Sequence, residues 1–255
     1  MKIFLRCAAV VLSIMMCAGL VACSTGKAFY DYRKSKTNYG TNIFTKNVEK
    51  EINSMKAEDF VPSSQQSDYV LIKVKDYGSI VVLLRRDVAP KTVENFKKLT
   101  AEKFYDGTIF HRVIENFMIQ GGRTVVATDS NGVHTYKSKD AAEINGEFAT
   151  NGFENNLNHV RGVISMARRG TDSNATQEQV TAANNSATSE FFIVQKTTAD
   201  STALDGNYAA FGYVLAGMEV VDAIAACEVL NKGTDFPMPV RDVIIESVTF
   251  VEPKE

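Results

Sequence analysis

The feature that most constrains the fold is a succession of short strand-like segments after residue 68, with only two helical segments among them. Residues 69–75 alternate apolar and polar side chains, as a half-buried strand does. The other strand-like segments are residues 79–84, 108–120, 160–167, 190–195, 209–215 and 243–251. Helical spacing occurs at residues 90–103, which begin with Pro90, and at residues 218–226. Because strands and helices do not alternate regularly, the pattern predicts a mainly β fold, a closed antiparallel barrel rather than a parallel sheet.

The first residues have the features of an export signal. Lys2 and Arg6 introduce the 16 uncharged residues 7–22. As a helix this run would span about 24 Å, short of the roughly 30 Å hydrocarbon core of a membrane. It therefore predicts a secretory signal. The segment Leu20-Val21-Ala22-Cys23 resembles a bacterial lipobox, in which Cys23 would carry lipid. An uncleaved anchor and ordinary signal cleavage nearby are the alternatives.

These signals divide the chain into three parts. We expect a signal peptide at residues 1–22, a lipid-anchored stalk at residues 23–67 with a short helix near 42–57, and a compact domain at residues 68–255. The expected location is the cell membrane, on its extracytoplasmic side, where lipid on Cys23 would make the membrane a partner. We expect a monomer.

Composition and spacing argue against several function classes. The formal net charge is −2 and no basic stripe is present, which gives no reason to expect nucleic acid. The three histidines, His111, His134 and His159, lack metal-ligand spacing, so we expect neither metal nor cofactor. Ser165 and Ser189 have no Asp/His pattern around them, which argues against a serine hydrolase.

One run, residues 110–122, places a guanidinium, a carboxamide and large apolar side chains on a single hairpin. With a two-residue turn, Arg112 would face Ile119. With a three-residue loop at residues 115–117, Arg112 would face Gln120. We favour the longer loop, because it pairs the two polar side chains and because Asn116 tolerates the left-handed conformation that such a loop needs. Such a site can polarise an amide without breaking a bond.

The run resembles the active-site strand pair of the cyclophilins, which are peptidyl-prolyl cis/trans isomerases. The segments 162–167, 189–193 and 204–212 extend this resemblance in the family's order over residues 69–250. It implies an eight-stranded antiparallel barrel capped by two helices. It also implies that Arg112, Gln120 and Phe117 are catalytic. The substrate-binding residues that it implies are Met118, Ala167, Arg168, Phe192, Leu204 and Tyr208.

The chemistry implied for Arg112 is the stabilisation of a twisted amide. The planar peptide bond has a high rotation barrier, because nitrogen shares its lone pair with the carbonyl. At the twisted transition state the lone pair returns to nitrogen, where a guanidinium can donate to it. Arginine suits this role because it stays charged and presents a rigid fan of donors.

Several positions depart from the family's pattern. Arg168 and Arg169 stand where an Asn and a small residue are common, Glu190 replaces a frequent Gln, and Tyr208 replaces a frequent His. The loop at residues 168–189 is longer than usual, and we expect it to be a polar, exposed insertion. These changes concern the rim of the site rather than its pocket.

The sequence therefore predicts a prolyl isomerase that acts on proline-containing segments of unfolded or exported proteins. Two alternatives remain open at this stage. One is a proline-peptide binding module with little turnover, and the other is a chaperone role located in the stalk.

Overall fold

A computed structural model describes residues 48–131 and 133–254 of the chain. The predicted signal peptide, the lipidation site Cys23 and residues 23–47 of the predicted stalk lie outside the described residues. Within the described ranges, no helix has both the length and the apolar character needed to span a membrane.

The described chain folds into antiparallel strands with short α-helices, and residues 48–51 are also helical. The strands are β1 (Phe60–Pro62), β2 (Tyr69–Val74), β3 (Gly78–Leu84), β4 (Thr108–Ile114), β5 (Met118–Thr128), β6 (His134–Ser138), β7 (Val163–Met166), β8 (Phe191–Val194), β9 (Ala210–Ala216), β10 (Val229–Leu230), β11 (Met238–Pro239) and β12 (Val243–Pro253). The helices are α1 (Pro90–Ala101), α2 (Gln177–Asn184), α3 (Ala199–Thr202) and α4 (Met218–Ala225).

Eight of these strands form a closed barrel. Their order is β12-β2-β3-β9-β7-β8-β5-β4, and β4 pairs again with β12, which closes the sheet on itself. All of these pairings are antiparallel. The predicted fold class, an eight-stranded antiparallel barrel with helices, is confirmed. Closure leaves no free edge among the eight strands, so the barrel itself needs no partner to satisfy its backbone.

The interior of the barrel is apolar and is sealed by α1 and α4. Alternate residues of β2, such as Val70 and Ile72, are fully buried, as the period of a strand requires. Phe96 of α1 and Ile224 of α4 belong to the same core cluster. The N-terminus of α1 is capped from a distant segment, because the buried carboxylate of Glu147 accepts hydrogen bonds from the backbone N–H groups of residues 91 and 92.

A segment before the barrel, residues 48–62, packs on its outer surface, and we call this segment the N-terminal arm. Val48 and Phe60 of the arm are buried. The Asn53 side chain accepts hydrogen bonds from the first backbone N–H groups of α4, and β1 extends the sheet beside β12. The arm occupies part of the predicted stalk, and its residues Val48 and Phe60 belong to a core cluster on the barrel. The arm packs because its apolar residues cover apolar side chains on the outer face of the barrel.

Two expectations about loops need correction. The region 123–148, which we expected to be a long loop, contains a hairpin in which β5 continues to Thr128 and pairs with β6. The insertion at residues 168–189 is exposed only in part. It forms α2, and its last residues are buried, with Ala187 bridged to Ile144. Small residues such as Ala187 fit against the barrel, which the polar composition of the insertion did not reveal.

Candidate active site

The hairpin of β4 and β5 has the register that the sequence favoured. Arg112 lies opposite Gln120, and Ile114 lies opposite Met118. The loop between them is the three-residue loop, and Asn116 has a positive φ of 64°. The preference for an Asn at this left-handed position and the pairing of polar with polar residues are therefore both confirmed.

Gly121 and Gly122 lie in β5 at positions where the neighbouring atoms leave no room for a Cβ. A Cβ on Gly121 would lie 2.6 Å from the carbonyl oxygen of Ile109, and a Cβ on Gly122 would lie 2.7 Å from the ring of Phe191. Gly122 also has a positive φ of 94°. These glycines allow β5 to bend between the site and residues 124–128, which pair with β6. Close strand packing and a bend were the expected reasons for glycine here.

The guanidinium of Arg112 is held at two points. Its Nη1 donates to Oε1 of Gln120 at 3.0 Å, and its Nε donates to the backbone oxygen of Asp235 at 2.7 Å. Burial lowers the pKa of the Arg112 guanidinium, while Tyr208 and Asp235 act in the opposite direction. Arginine nevertheless remains charged at neutral pH. The structure thus presents a fixed, charged and partly desolvated donor.

The contact with Asp235 was not predicted. Asp235 lies in the loop between β10 and β11, and the neighbouring Phe236 ring lies 5.8 Å from the Arg112 guanidinium carbon. Phe236 is 75% exposed. Because Arg112 and this loop are more than a hundred residues apart, no local sequence pattern predicts their contact. The aromatic Phe236 in an otherwise polar loop was the one feature that could have indicated a role for the loop.

The predicted apolar residues lie together beside Arg112. Met118, Phe192 and Val194 form a small buried cluster, and we call these three residues the pocket floor. The partly buried side chains packed against the floor are Ile114, Phe117, Ala167, Leu204 and Tyr208. The Met118 sulfur lies 3.9 Å from Arg112 Nη1, so the guanidinium borders the floor directly. An apolar surface beside a fixed cation is the arrangement that the binding of a proline ring next to Arg112 would need.

A buried hydrogen-bonded chain supports the floor from behind. His159 stacks on Phe192 with ring centroids 5.9 Å apart. Its Nδ1 lies 3.0 Å from the carboxylate of Asp205, and its Nε2 lies 2.9 Å from the hydroxyl of Ser165. The carboxylate can only accept, so Nδ1–H donates to it, and in the neutral ring Nε2 accepts from Ser165.

This chain corrects the expectation that Ser165 has no Asp/His partner. The partners come from residues 159 and 205, and the fold alone brings all three together. The Ser–His–Asp arrangement resembles a hydrolase triad, but Ser165 is fully buried and His159 is almost fully buried. A nucleophile must reach a substrate carbonyl, so the chain can only be structural here. The structure also shows that Asp205 is a hydrogen-bond partner of His159, whereas the sequence indicated only a turn at this position.

The rim of the site is charged and aromatic. The Arg168 guanidinium lies 4.8 Å from the Tyr208 ring and 5.3 Å from the Phe148 ring, and its Nε donates to the backbone oxygen of Asn207. Tyr208 in turn contacts Phe192 edge-on. Arg169 extends outward to pair with Glu143 at 3.0 Å. The structure therefore places the side chain of Arg168 at the edge of the pocket.

The site contains the groups for polarising and holding an amide. Within residues 48–131 and 133–254, no group of three or more His, Cys, Asp or Glu side chains could hold a metal ion. The groups that converge are a guanidinium held by Gln120 and Asp235 and an apolar floor. They can bind an amide and donate to it as its charge distribution changes.

Comparisons with known proteins agree with this geometry. Residues 69–250 match the family model of the cyclophilin type peptidyl-prolyl cis-trans isomerases. The chain is 36% identical over 185 residues to peptidyl-prolyl cis-trans isomerase B of Escherichia coli (strain K12), a match that covers 69% of this chain and 96% of that protein. It is 38% identical over 175 residues to a peptidyl-prolyl cis-trans isomerase of Acinetobacter baylyi, covering 67% of this chain and 79% of the relative.

Solved structures give the same result. A cyclophilin type isomerase from Cryptosporidium parvum superposes with a TM-score of 0.53 at 25% identity, covering 74% of this chain and 99% of its own. A structure of that isomerase in the presence of the dipeptide Ala-Pro has a TM-score of 0.51 at 26% identity and covers 71% of this chain and 97% of its own. The fold and the site define an enzyme that rotates prolyl peptide bonds. The chain belongs to the cyclophilin type peptidyl-prolyl cis-trans isomerase family.

Proposed function

We propose that Arg112 is the catalytic residue of this isomerase and that the pocket floor holds the proline ring of the substrate. In the planar ground state the prolyl nitrogen has little electron density to offer a donor. When the amide twists, the lone pair returns to nitrogen and the guanidinium can donate to it. The interaction is then stronger in the transition state than in the ground state, and this difference lowers the barrier.

The observation that carries this proposal is the double restraint of the guanidinium beside the floor. Gln120 holds Nη1 and Asp235 holds Nε, so Arg112 is oriented before a substrate arrives. A preorganised donor loses little free energy to reorganisation during the reaction. Nη1 also lies 3.9 Å from the sulfur of the buried Met118, so the guanidinium borders the floor on which a bound proline would lie.

The remaining predicted side chains have supporting roles in this proposal. Phe117 and Leu204 flank the ring of the bound proline, and Gln120 also contacts the substrate backbone. Ala167, Arg168 and Tyr208 border the residues that precede the proline. The Cryptosporidium relative was studied with Ala-Pro, and we infer that this chain accepts extended X-Pro segments in the same way.

We further propose that the clients are exported proteins and that the enzyme meets them while anchored through lipid on Cys23. The uncharged run at residues 7–22 and the lipobox-like end at Cys23 support this location. The 24 residues 24–47, between the lipidated cysteine and the arm, would separate the barrel from the membrane.

A protease-coupled isomerisation assay on a proline tetrapeptide tests the assignment of Arg112. The wild-type chain should accelerate isomerisation. Arg112→Lys should be about 10-fold slower or worse, because a flexible point charge lacks the fan geometry. The exposed Arg86 provides the matched control, and Arg86→Lys should retain the wild-type rate. An Arg112→Lys rate equal to that of wild type would contradict the assignment.

Membrane fractionation tests the anchor. In a bacterial host that processes lipoproteins, the wild-type chain should incorporate labelled fatty acid and sediment with membranes. Cys23→Ser should lose the label and leave the lipid fraction while keeping its isomerase rate. A Cys23→Ser chain that still carries fatty acid would refute lipidation at this residue.

A further inference from the structure

Glu190 is a charged residue at the rim of the site that contacts Gln120 without belonging to the pocket floor. It directly precedes β8, and its Oε2 accepts a hydrogen bond from Nε2 of Gln120 at 3.2 Å. Its other oxygen lies 3.9 Å from the guanidinium of Arg123. Because Oε1 of Gln120 accepts from Arg112, the three side chains Glu190, Gln120 and Arg112 form a directed chain of hydrogen bonds.

The direction of this chain depends on which way the Gln120 carboxamide points. A carboxamide has an acceptor oxygen at one end and a donor NH2 group at the other. Only the oxygen end can accept from Arg112, since the opposite orientation would place one donor against another. An ionised carboxylate is an acceptor only, so Glu190 is compatible with a single orientation of Gln120.

A glutamine at position 190 would lack this selectivity. Its own amide could donate to or accept from either end of Gln120, so Arg112 alone would then select the orientation of the Gln120 carboxamide. The negative charge of Glu190 also strengthens the bond to Gln120 relative to a neutral acceptor.

We propose that Glu190 is a positioning residue that fixes the carboxamide of Gln120, and through it the Nη1 end of the Arg112 guanidinium. This inference rests on the proposed role of Arg112. Because the backbone oxygen of Asp235 still holds Nε of Arg112, loss of Glu190 misorients the catalytic group without releasing it. The effect on rate is therefore smaller than that of replacing Arg112 itself.

The experiment is a double-mutant cycle between Glu190 and Gln120 in the full chain, measured as kcat/KM on a proline tetrapeptide. Glu190→Gln should lower kcat/KM about three- to tenfold. In a Gln120→Ala background the same change should have almost no effect, because the carboxamide on which it acts is gone. The matched control is Glu143→Gln, which removes an exposed carboxylate near the rim that pairs with Arg169. Glu143→Gln should stay within about twofold of wild type.

A spectroscopic readout separates positioning from a general structural effect. The side-chain NH2 resonances of Gln120, assigned through their loss in Gln120→Ala, should be a single sharp pair in wild type. In Glu190→Gln they should shift and broaden, because Arg112 is then the only partner that opposes the reversed amide, while the denaturant midpoint changes little. A Glu190→Gln chain with wild-type kcat/KM, or with an equal loss in both backgrounds, would overturn the inference.

The result can be separated from the proposed function. If Arg112→Ala is inactive and Glu190→Gln is fully active, the role of Arg112 stands and the role of Glu190 fails. If Arg112→Ala is fully active, both fail, whatever Glu190→Gln does.

Discussion

The pocket floor and the rim of the site differ in almost every physical property. The floor residues Met118, Phe192 and Val194 are at most 4% exposed, and a buried hydrogen-bonded chain supports Phe192. The rim is built from charged or exposed side chains, among them Arg168, Glu190 and Phe236.

This difference assigns different roles to the two regions. Met118 and Phe192 of the floor lie in the segments on which the cyclophilin resemblance rests. Every substrate with an X-Pro bond would present the same proline ring to this floor. The rim carries the residues that depart from the family's pattern, and it would meet the variable side chains around the proline. We accordingly propose that the floor serves both the reaction and the stability of the barrel, whereas the rim tunes orientation and substrate preference.

The same substitution in the two regions should have very different effects, and the largest is expected in the floor. Phe192→Ala should lower the free energy of unfolding by about 3–5 kcal/mol, because it leaves a cavity in a packed site. Its kcat/KM should fall as well, since the proline loses its surface. Phe236→Ala removes the same ring from the rim and should change stability by about 0.5 kcal/mol or less.

Urea denaturation and tetrapeptide kinetics of both phenylalanine variants provide the measurement. Equal losses of stability at the two positions would break the distinction between floor and rim. A large loss at Phe236 alone would reverse it.

A smaller effect is expected behind the floor. Ser165→Ala removes the hydroxyl partner of His159 Nε2 and leaves that buried atom without a hydrogen bond. The free energy of unfolding should fall by about 1–3 kcal/mol. Ser138→Ala, at an exposed position of β6, is the control and should be nearly neutral. The urea midpoint is the readout. If the Ser165→Ala protein is as stable as the control, the hydrogen bonds behind the floor do not stabilise it.

An effect on stability smaller than that of Ser165→Ala is expected at the rim cation. Arg168→Ala removes a guanidinium that lies over the Phe148 and Tyr208 rings and should cost about 1 kcal/mol or less. Its kinetic effect should depend on the residue before proline, which is tested with tetrapeptides carrying Ala, Glu or Lys there. Arg169→Ala, which removes a more exposed cation, is the control. A uniform change across all three peptides would argue against a role of Arg168 in substrate preference.

Local sequence patterns were sufficient to predict the hairpin. Its register followed from one choice of loop length, and the left-handed Asn116 agreed with that choice. The barrel also followed from the strand pattern together with the family resemblance. These features depend on neighbouring residues, whose preferences are visible in the sequence.

Most of the missed features depend on distant segments that the fold brings together. The contact of Asp235 with Arg112, the Ser165–His159–Asp205 chain and the packing of the arm join residues far apart in sequence. No periodicity or motif marks such contacts in a single sequence. The hairpin of β5 and β6 was missed for another reason, since β6 is exposed along its whole length and lacks an apolar face.

The central claim is that Arg112 acts on the twisted amide rather than on the bound ground state, and one measurement tests it directly. NMR titration and exchange spectroscopy with a single X-Pro peptide give affinity and isomerisation rate in the same samples. We expect Arg112→Ala to bind the peptide within a few-fold of wild type, while its isomerisation rate falls on the order of 100-fold. A rate that falls only as much as the affinity, or that does not fall, would contradict the account.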